Sequence, residues 1–157
     1  MKTEMANDKY IFVGGGHLAS AFIVGLLESG RVAADIQVVE KNLNKRSDLE
    51  NRFKIKCYAD FSAVVSADSA VVLAVRPDDV AKALQQIAKW QFEADKPLIV
   101  SCVAGISCQQ IEDMFAAKVG VVRAMPNLPA VVGASVSALY CNDTVDLKQK
   151  HMAERLL

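Results

Sequence analysis

Short apolar runs alternate with longer segments of mixed polarity along most of the chain. The apolar runs predict six β-strands, at residues 10–13, 36–39, 69–75, 97–103, 119–125 and 135–140. Several are rich in Val and Ile at nearly every position, which is typical of strands covered on both faces. Segments with a helical period separate them, at residues 17–28, 43–52, 61–66, 79–90 and 107–116. This order predicts an α/β fold, with a doubly wound, mostly parallel sheet and helices on both faces.

Residues 144–157 differ from the rest of this pattern. Thr144 suits a helix cap and apolar side chains recur partly on one helical face, but no Gly or Pro stop follows. We therefore expect three parts: a polar leader at residues 1–9, one α/β domain at residues 10–143, and the start of a further helix at residues 144–157. The alternative is a frayed C-terminal helix of the same domain.

Composition and charge narrow the range of partners. The 157 residues include 18 basic and 18 acidic side chains, so net charge gives no reason to expect nucleic acid. No apolar run reaches the ~18 residues that a membrane span requires, and the N-terminal segment lacks the apolar core of a secretory signal. Four cysteines without a CxxC pair and only two histidines predict reduced thiols, no metal site and a cytoplasmic protein.

A glycine-rich turn follows the first predicted strand, in the stretch YIFVGGGHLASAF. Gly14, Gly16 and Ala19 fit the pattern G-x-G-x-x-[GA] between a strand and a helix, which is the context that a dinucleotide-binding turn requires. Gly14 is expected to make the tight turn, Gly16 to admit a pyrophosphate, and Ala19 to let the helix pack on the sheet. The phosphates would lie at the helix N-terminus. The motif predicts a Rossmann-like domain that binds NAD(P); a glycine turn without a ligand is the alternative.

The end of the second strand leaves the choice of cofactor open. Glu40 ends that strand and is placed to accept hydrogen bonds from both ribose hydroxyls, which favours NAD(H). Lys41, Lys45 and Arg46 follow in the same loop and could pair with a 2′-phosphate, which favours NADP(H). A solvated charged loop is the alternative for Lys45 and Arg46.

Further candidates lie where later strands end, because ligands of an open parallel sheet bind beyond the carboxyl ends of its strands. Residues 74–77 end the strand of LAVRPDDV and point to the same crevice as the glycines. Ala104 and Gly105, after the next strand, leave room for a flat ring against the backbone. Pro126 and Pro129 stiffen the loop that carries Asn127. Ordinary turn chemistry is the alternative at each of these places.

The ordered motifs GGGHLA, LAVRP, SCVAGIS and RAMPNLPA resemble the N-terminal half of pyrroline-5-carboxylate reductases, from Tyr10 to the last residue. The resemblance implies NAD(P)H-dependent reduction of 1-pyrroline-5-carboxylate to L-proline, the last step of proline biosynthesis. It also implies a set of cofactor-binding residues, in addition to Glu40 and Lys41. These are Gly14, Gly15, Gly16, His17, Leu18 and Ala19 at the pyrophosphate, Ala74, Val75, Arg76 and Pro77 along the cofactor, Ala104 and Gly105 near the nicotinamide, and Met125, Pro126 and Asn127 in the loop that closes that region.

The chain departs from the family in several positions and in length. His17, Leu18, Arg76, Leu128 and Ser135 stand where Asn, Met, Lys, Thr and Gly are usual. Family members carry a second, helical domain that makes the dimer and supplies much of the pocket for the small imine substrate. We expect that domain to be absent from this chain, and a homo-oligomer to form only with it.

No residue can be assigned as a catalytic acid from these motifs. The resemblance implies direct hydride transfer to the imine carbon, with a cofactor that carries the difficult step. Three alternatives stay open: another NADP-dependent reductase of the deazaflavin-dependent type, a nucleotide-binding regulatory homologue without catalysis, and a folded fragment of the full enzyme.

Overall fold

Seven strands form the sheet of the computed structural model, which describes residues 7–64, 68–90, 98–126 and 137–157. The strands lie in the order β3-β2-β1-β4-β5-β6-β7. They are β1 (Lys9–Val13), β2 (Ile36–Val39), β3 (Lys56–Tyr58), β4 (Ser69–Leu73), β5 (Leu98–Ser101), β6 (Gly120–Pro126) and β7 (Ser137–Cys141). The first six are parallel, and β7 pairs antiparallel with β6 at the edge. The predicted fold class is confirmed.

Four α-helices lie between strands in the described part of the chain, and a fifth follows β7. They are α1 (His17–Glu28), α2 (Leu43–Phe53), α3 (Val80–Lys89), α4 (Cys108–Glu112) and α5 (Leu147–Leu156). Short 3-10 turns lie at Ala33–Asp35, Phe61–Ala63 and Pro77–Asp79. None of the helices in the described ranges has both the length and the apolar character to cross a membrane.

Two apolar clusters, one on each face of the sheet, form the core. On one face Tyr10 and Phe12 of β1 pack with Phe22 of α1, Leu49 of α2 and Met152 of α5. Each of these large side chains is at least nine-tenths buried, and full burial of one contributes roughly 1.5–3 kcal/mol. Because successive strand side chains point to opposite faces, the alternate residues of β1 belong to the second cluster.

The second cluster joins the sheet to α3 and α4. Ile11 and Val71 of the central strands pack with Leu84 of α3 and Ile111 of α4. The sheet is therefore covered on both faces, which explains why its strands are apolar at nearly every position.

A buried polar cluster connects the start of β1 with α5. The Asp8 carboxylate accepts hydrogen bonds from Arg31 Nη2 at 3.0 Å and from Arg155 Nε at 2.6 Å. The Tyr10 hydroxyl donates to the carbonyl of Met152 at 2.9 Å, and burial raises the pKa of Tyr10 above its usual value. The hydrogen bond to Asp8 also raises the pKa of Arg155. The structure thus anchors residues of the predicted leader, of which residues 1–6 lie outside the described part.

Three predicted helices differ from the structure. The segment at 61–66 is a 3-10 turn over Phe61–Ala63 with Val64 in extended backbone, and residues 65–67 are outside the described part. The helix expected at 107–116 ends at Glu112 and continues as i→i+3 turns that place Met114 and Phe115 on the second cluster.

The helix expected at 144–157 begins later than predicted, at Leu147. Its cap is Asp146 rather than Thr144, because Asp146 and Gln149 exchange side chain–backbone hydrogen bonds of 2.8 and 3.1 Å in a capping box. The strand β3 was not predicted, since Lys56, Cys57 and Tyr58 are not an apolar run.

Candidate functional site

The cleft of interest lies at the carboxyl end of the sheet, where β1 and β4 are neighbours. From β1 the chain continues to β2 and β3 on one side, and from β4 it continues to β5 and β6 on the other. The loops after these two central strands therefore separate and leave a crevice, which is where open α/β sheets bind ligands. It has a volume of about 470 Å³. Its lining residues are Val13, Gly14, Gly15, Gly16, Val39, Glu40, Lys41, Lys45, Ala74, Val75, Arg76, Asp79, Ala83 and Gln86.

The three consecutive glycines have three different surroundings. Gly14 has φ +98°, and a Cβ there would lie 2.6 Å from the carbonyl oxygen of Ala74. A Cβ on Gly15 would lie 2.7 Å from Leu49 Cδ1, so α2 packs closely on this residue. A Cβ on Gly16 would meet nothing within 4 Å. Only the third glycine faces open space.

The open space at Gly16 adjoins the N-terminus of α1. Gly16 is the N-cap residue of this helix, and no side chain caps it. The first N–H groups of a helix have no partner within the helix, and together with the helix dipole they favour an anion. Ala19, one turn into the helix, is fully buried against the sheet, as its small side chain predicts. The geometry therefore suits a phosphate group beside Gly16.

Glu40 fixes the loop after β2 against the glycine turn. Its Oε2 accepts a hydrogen bond from Gly15 N–H at 2.9 Å, and its Oε1 accepts one from Asn42 N–H at 2.9 Å. Arg46 Nη1 donates to the carbonyls of Glu40 and Lys41, both at 2.7 Å. Arg46 thus holds the backbone of this loop, whereas Lys41 is exposed at the cleft.

The end of β4 forms the opposite wall. Ala74 N–H donates to the carbonyl of Val13 at 2.9 Å, which ties this loop to the end of β1. Ala74 and Val75 are half-buried, while the Arg76 side chain is 85% exposed and lies 3.6 Å from Asp79. Three positively charged side chains line the cleft: Arg76 of this wall, and Lys41 and Lys45 of the facing loop and the start of α2.

The other predicted residues lie around the cleft rather than in its lining. His17 is exposed and lines a smaller neighbouring pocket of about 200 Å³. Leu18 packs on the first cluster, and Pro77 begins the 3-10 turn before α3. Ala104 and Gly105 form an exposed turn after β5, at the same edge of the sheet.

The last candidates come from β6. Met125 is 48% exposed and Pro126 is half-buried at the end of this strand. Asn127, Leu128, Pro129 and Ser135 lie outside the described residues.

Sequence reasoning missed several residues of the lining. Ala83 and Gln86 come from α3, and their helical period could have placed them on the face toward the cleft. Val13 and Val39 are the last residues of their strands. Nothing in their sequence context marks them as site residues.

The thiols of the described residues are poor nucleophiles. Burial raises the pKa of Cys102, at the end of β5, to about 12. Burial and the nearby Glu50 raise the pKa of Cys57 to about 12. Across the described ranges, no three His, Cys, Asp or Glu side chains are grouped as metal ligands.

Comparisons with known proteins identify a family and several named relatives of this chain. The model of the family described as "NADP oxidoreductase coenzyme F420-dependent" matches residues 9–105. The pyrroline-5-carboxylate reductase of Vibrio alginolyticus is 33% identical over 98% of this chain and 56% of its own length. That of Pseudomonas aeruginosa is 34% identical over 98% of this chain and 55% of its own length.

A solved structure gives the same result. The pyrroline-5-carboxylate reductase from Coxiella burnetii superposes with a TM-score of 0.87 at 30% identity, over 94% of this chain and 54% of that one. The resemblance found in the sequence motifs is confirmed. The chain spans about half the length of the curated relatives that it matches.

Proposed function

The chain belongs to the family described as NADP oxidoreductase, coenzyme F420-dependent, and from this membership we propose that its cleft binds NAD(P)H. The observation that carries the proposal is the open space at Gly16, next to the uncapped N-terminus of α1. Gly14 and Gly15 are packed against Ala74 and Leu49, so the turn is held in a shape that leaves only this space free. The free N–H groups and the dipole at this helix end favour the negative charge of a pyrophosphate.

We propose that the chain supplies the nucleotide-binding half of a pyrroline-5-carboxylate reductase. The relatives with that name match it over nearly its whole length, including RAMPNLPA, which lies beyond the range of the family model. Bound NAD(P)H would supply the hydride that reduces the C=N bond of 1-pyrroline-5-carboxylate to give L-proline, the last step of proline biosynthesis.

In this proposal the described residues bind and orient the cofactor. Residues 14–16 and the N-terminus of α1 hold the pyrophosphate, and Glu40 contacts the ribose of the adenosine. Ala74 and Val75 pack along the cofactor. The turn at residues 104–105 and the end of β6 at Met125 and Pro126 lie toward the nicotinamide. These residues would assist hydride transfer because they exclude water and hold the nicotinamide ring in one orientation.

The substrate and the assembly are also proposals. The substrate is a small imine, and no residue of this chain is assigned as its proton donor. The relatives are nearly twice as long as this chain, and we propose that the substrate pocket and a homo-oligomer depend on the part of those proteins that this chain does not match. The proposed compartment is the cytoplasm, in keeping with four free cysteines.

A second candidate is a deazaflavin-dependent NADP reductase. It is favoured by the family description, which names coenzyme F420. The match ends at residue 105, before β6 and the RAMPNLPA stretch. Hydride transfer between NADPH and a deazaflavin, measured against reduction of 1-pyrroline-5-carboxylate by the complete gene product, separates the two.

The binding step is tested by calorimetric titration of the chain with NADH and NADPH. Gly16→Val should abolish binding while the chain stays folded, because the added side chain enters the phosphate space and its Cβ meets nothing within 4 Å. The matched control is Gly25→Val, which adds the same side chain at an exposed position of α1 where a Cβ also meets nothing within 4 Å. Equal affinity of the Gly16→Val variant and the wild type would remove the site assignment.

A further inference from the structure

The Arg123 side chain of β6 has a buried donor that the fold does not use. Within the described ranges, Arg123 Nε is the only buried side-chain nitrogen or oxygen without a hydrogen-bond partner. None of the ion pairs in those ranges includes its guanidinium. A buried donor without an acceptor costs free energy, and most such groups in folded proteins are paired. A ligand that supplies an acceptor beside Arg123 would remove this cost.

A pocket of about 550 Å³ opens beside this side chain. It lies between α4 and the edge strands β6 and β7, and it shares no lining residue with the nucleotide cleft. Arg123 and Tyr140 are directly opposite each other in the antiparallel pair of β6 and β7, so both side chains point to the face that the pocket occupies. The volume is in the range of small-molecule sites.

Two polar side chains of this pocket are already engaged in the fold. Asn142 accepts a hydrogen bond from Val121 N–H at 2.9 Å and donates one to the carbonyl of Val119 at 3.0 Å. Ser107 accepts the capping hydrogen bond at the start of α4. These contacts hold both side chains in place, so they form a fixed wall around Arg123 and do not supply its acceptor.

The charged side chains of the described residues that line the pocket are two of each sign. Arg123 and Lys118 are positive, whereas Glu112 and Asp143 are negative. Burial raises the pKa of Cys108, while Arg123 lowers it and Glu112 raises it, so acid and base both lie near this thiol without pairing. An anion with several negative charges would meet two carboxylates here, which is unfavourable. A molecule with one carboxylate and one ammonium group matches both signs.

We propose that this pocket binds a free α-amino acid with an uncharged side chain, and that Arg123 is the residue that holds its carboxylate. The planar guanidinium offers Nε–H and a neighbouring Nη–H as a fork, which suits the two oxygens of a carboxylate. Lys118 adds a second positive charge on that side. The ammonium group lies toward Glu112 and Asp143. Failure of this site would leave the nucleotide cleft unaffected, because the two share no residue.

The test is an NMR titration of the ¹⁵N-labelled chain with three matched probes at constant ionic strength. L-Alanine carries both charges, propionate lacks the ammonium group, and L-alaninamide lacks the carboxylate. L-Alanine should shift the side-chain Nε–H signal of Arg123, which is identified by its disappearance in Arg123→Met. Propionate and L-alaninamide should each bind about tenfold more weakly or worse, as expected for the loss of one interaction between charged groups.

Two variants of Arg123 separate its charge from its shape. Arg123→Met removes both, and Arg123→Lys keeps the charge but lacks the fork. Each should weaken L-alanine binding about tenfold or more, measured on the backbone amide signals of residues 140–143. Lys56→Met is the control, because it removes a positive charge at an exposed position of β3, at the opposite edge of the sheet. It should bind L-alanine as the wild type does.

Three results would overturn the proposal. The first is a wild-type chain whose pocket signals do not shift with L-alanine. The second is wild-type affinity for L-alanine in Arg123→Lys or Arg123→Met. The third is tighter binding of inorganic phosphate or succinate than of L-alanine, which would show that the pocket takes an anion with several charges.

Discussion

At the residue scale, a substitution at each of the three glycines of the turn should have a different effect. Gly14 needs its positive φ and its missing side chain, because a Cβ would press on the backbone carbonyl of Ala74. Gly15 needs only the space, which is filled by the end of the Leu49 side chain. At Gly16 the fold requires neither a positive φ nor the space of a missing side chain. A single motif thus combines a backbone requirement, a packing requirement and a requirement of the ligand.

We predict that Gly14→Ala lowers the free energy of unfolding by about 2–4 kcal/mol, since both the strained backbone and the clash oppose it. Gly15→Ala should cost about 1–3 kcal/mol, because Leu49 Cδ1 can rotate away at the expense of core packing. Urea denaturation measures both. Gly25→Ala is the control, and it should stabilise the protein by about 0.5–1 kcal/mol. A larger loss at Gly15 than at Gly14 would contradict the difference between backbone and side-chain contact.

A second prediction at this scale concerns the partly buried thiol of Cys102. The pKa of Cys102 is raised from 9.0 to about 12 in the fold, so the unfolded chain releases this proton first as the pH rises. The stability that this raised pKa contributes is fully present below about pH 9 and is lost between pH 9 and 12. The free energy of unfolding therefore falls with rising pH. Urea denaturation at about pH 8 and about pH 9.5, before free tyrosines ionise, should show this fall. The fall should be smaller in Cys102→Ala; an identical fall would assign it to other groups.

At the element scale, the elements that could be predicted are those with a long hydrophobic pattern and with start and stop residues close by in the sequence. The helix at 17–28 has the bounds of α1, because a glycine turn precedes it and Gly30 follows it closely. The β3 strand could not be found, since its three residues acquire their strand conformation from pairing with β2. Ala83 and Gln86 were missed although their spacing places them on one face of α3, because only the packing of α3 on the sheet brings that face to the cleft.

The polar cluster at Asp8 gives a prediction for α5. Asp8→Asn should lower the free energy of unfolding by about 2–4 kcal/mol, because it leaves the Arg31 charge without its carboxylate in a nearly buried site. Asp48→Asn is the control: its pair with Arg52 is 3.6 Å long, with both side chains more than half exposed. That change should stay within about 0.5 kcal/mol. Chemical denaturation of both variants checks the difference, and a similar small loss in each would show that the cluster does not hold α5.

At the scale of the whole molecule, strand order decides where the cleft lies. The alternation of strands and helices predicted a doubly wound sheet, and such a sheet has its ligand site where the order reverses. The position of Gly14–Gly16 and Glu40 at one crevice could therefore be predicted. Which donors were already engaged could not, because the hydrogen bonds of Glu40 and Arg46 depend on side-chain orientations that no sequence pattern specifies.

Nucleotide binding should stabilise the whole fold. At a concentration of about one hundred times its dissociation constant, NADH should add about 2.7 kcal/mol to the free energy of unfolding. Thermal unfolding with and without NADH measures the shift. Gly16→Val should show no shift and Gly25→Val the full one. A shift in Gly16→Val equal to that of the wild type would place the bound nucleotide elsewhere.

The position of α5 has a practical consequence. Every residue that lines the cleft lies between Val13 and Gln86, yet Met152, Ala153 and Leu156 of α5 complete the apolar cluster beneath Tyr10 and Phe12. Trimming the gene before Asp146 would keep all the nucleotide contacts and remove three buried side chains from the first apolar cluster. Such a shortened polypeptide should aggregate or be digested rapidly by proteases. The smallest autonomous piece of this sequence therefore extends to Leu156, far past the residues that line its nucleotide cleft.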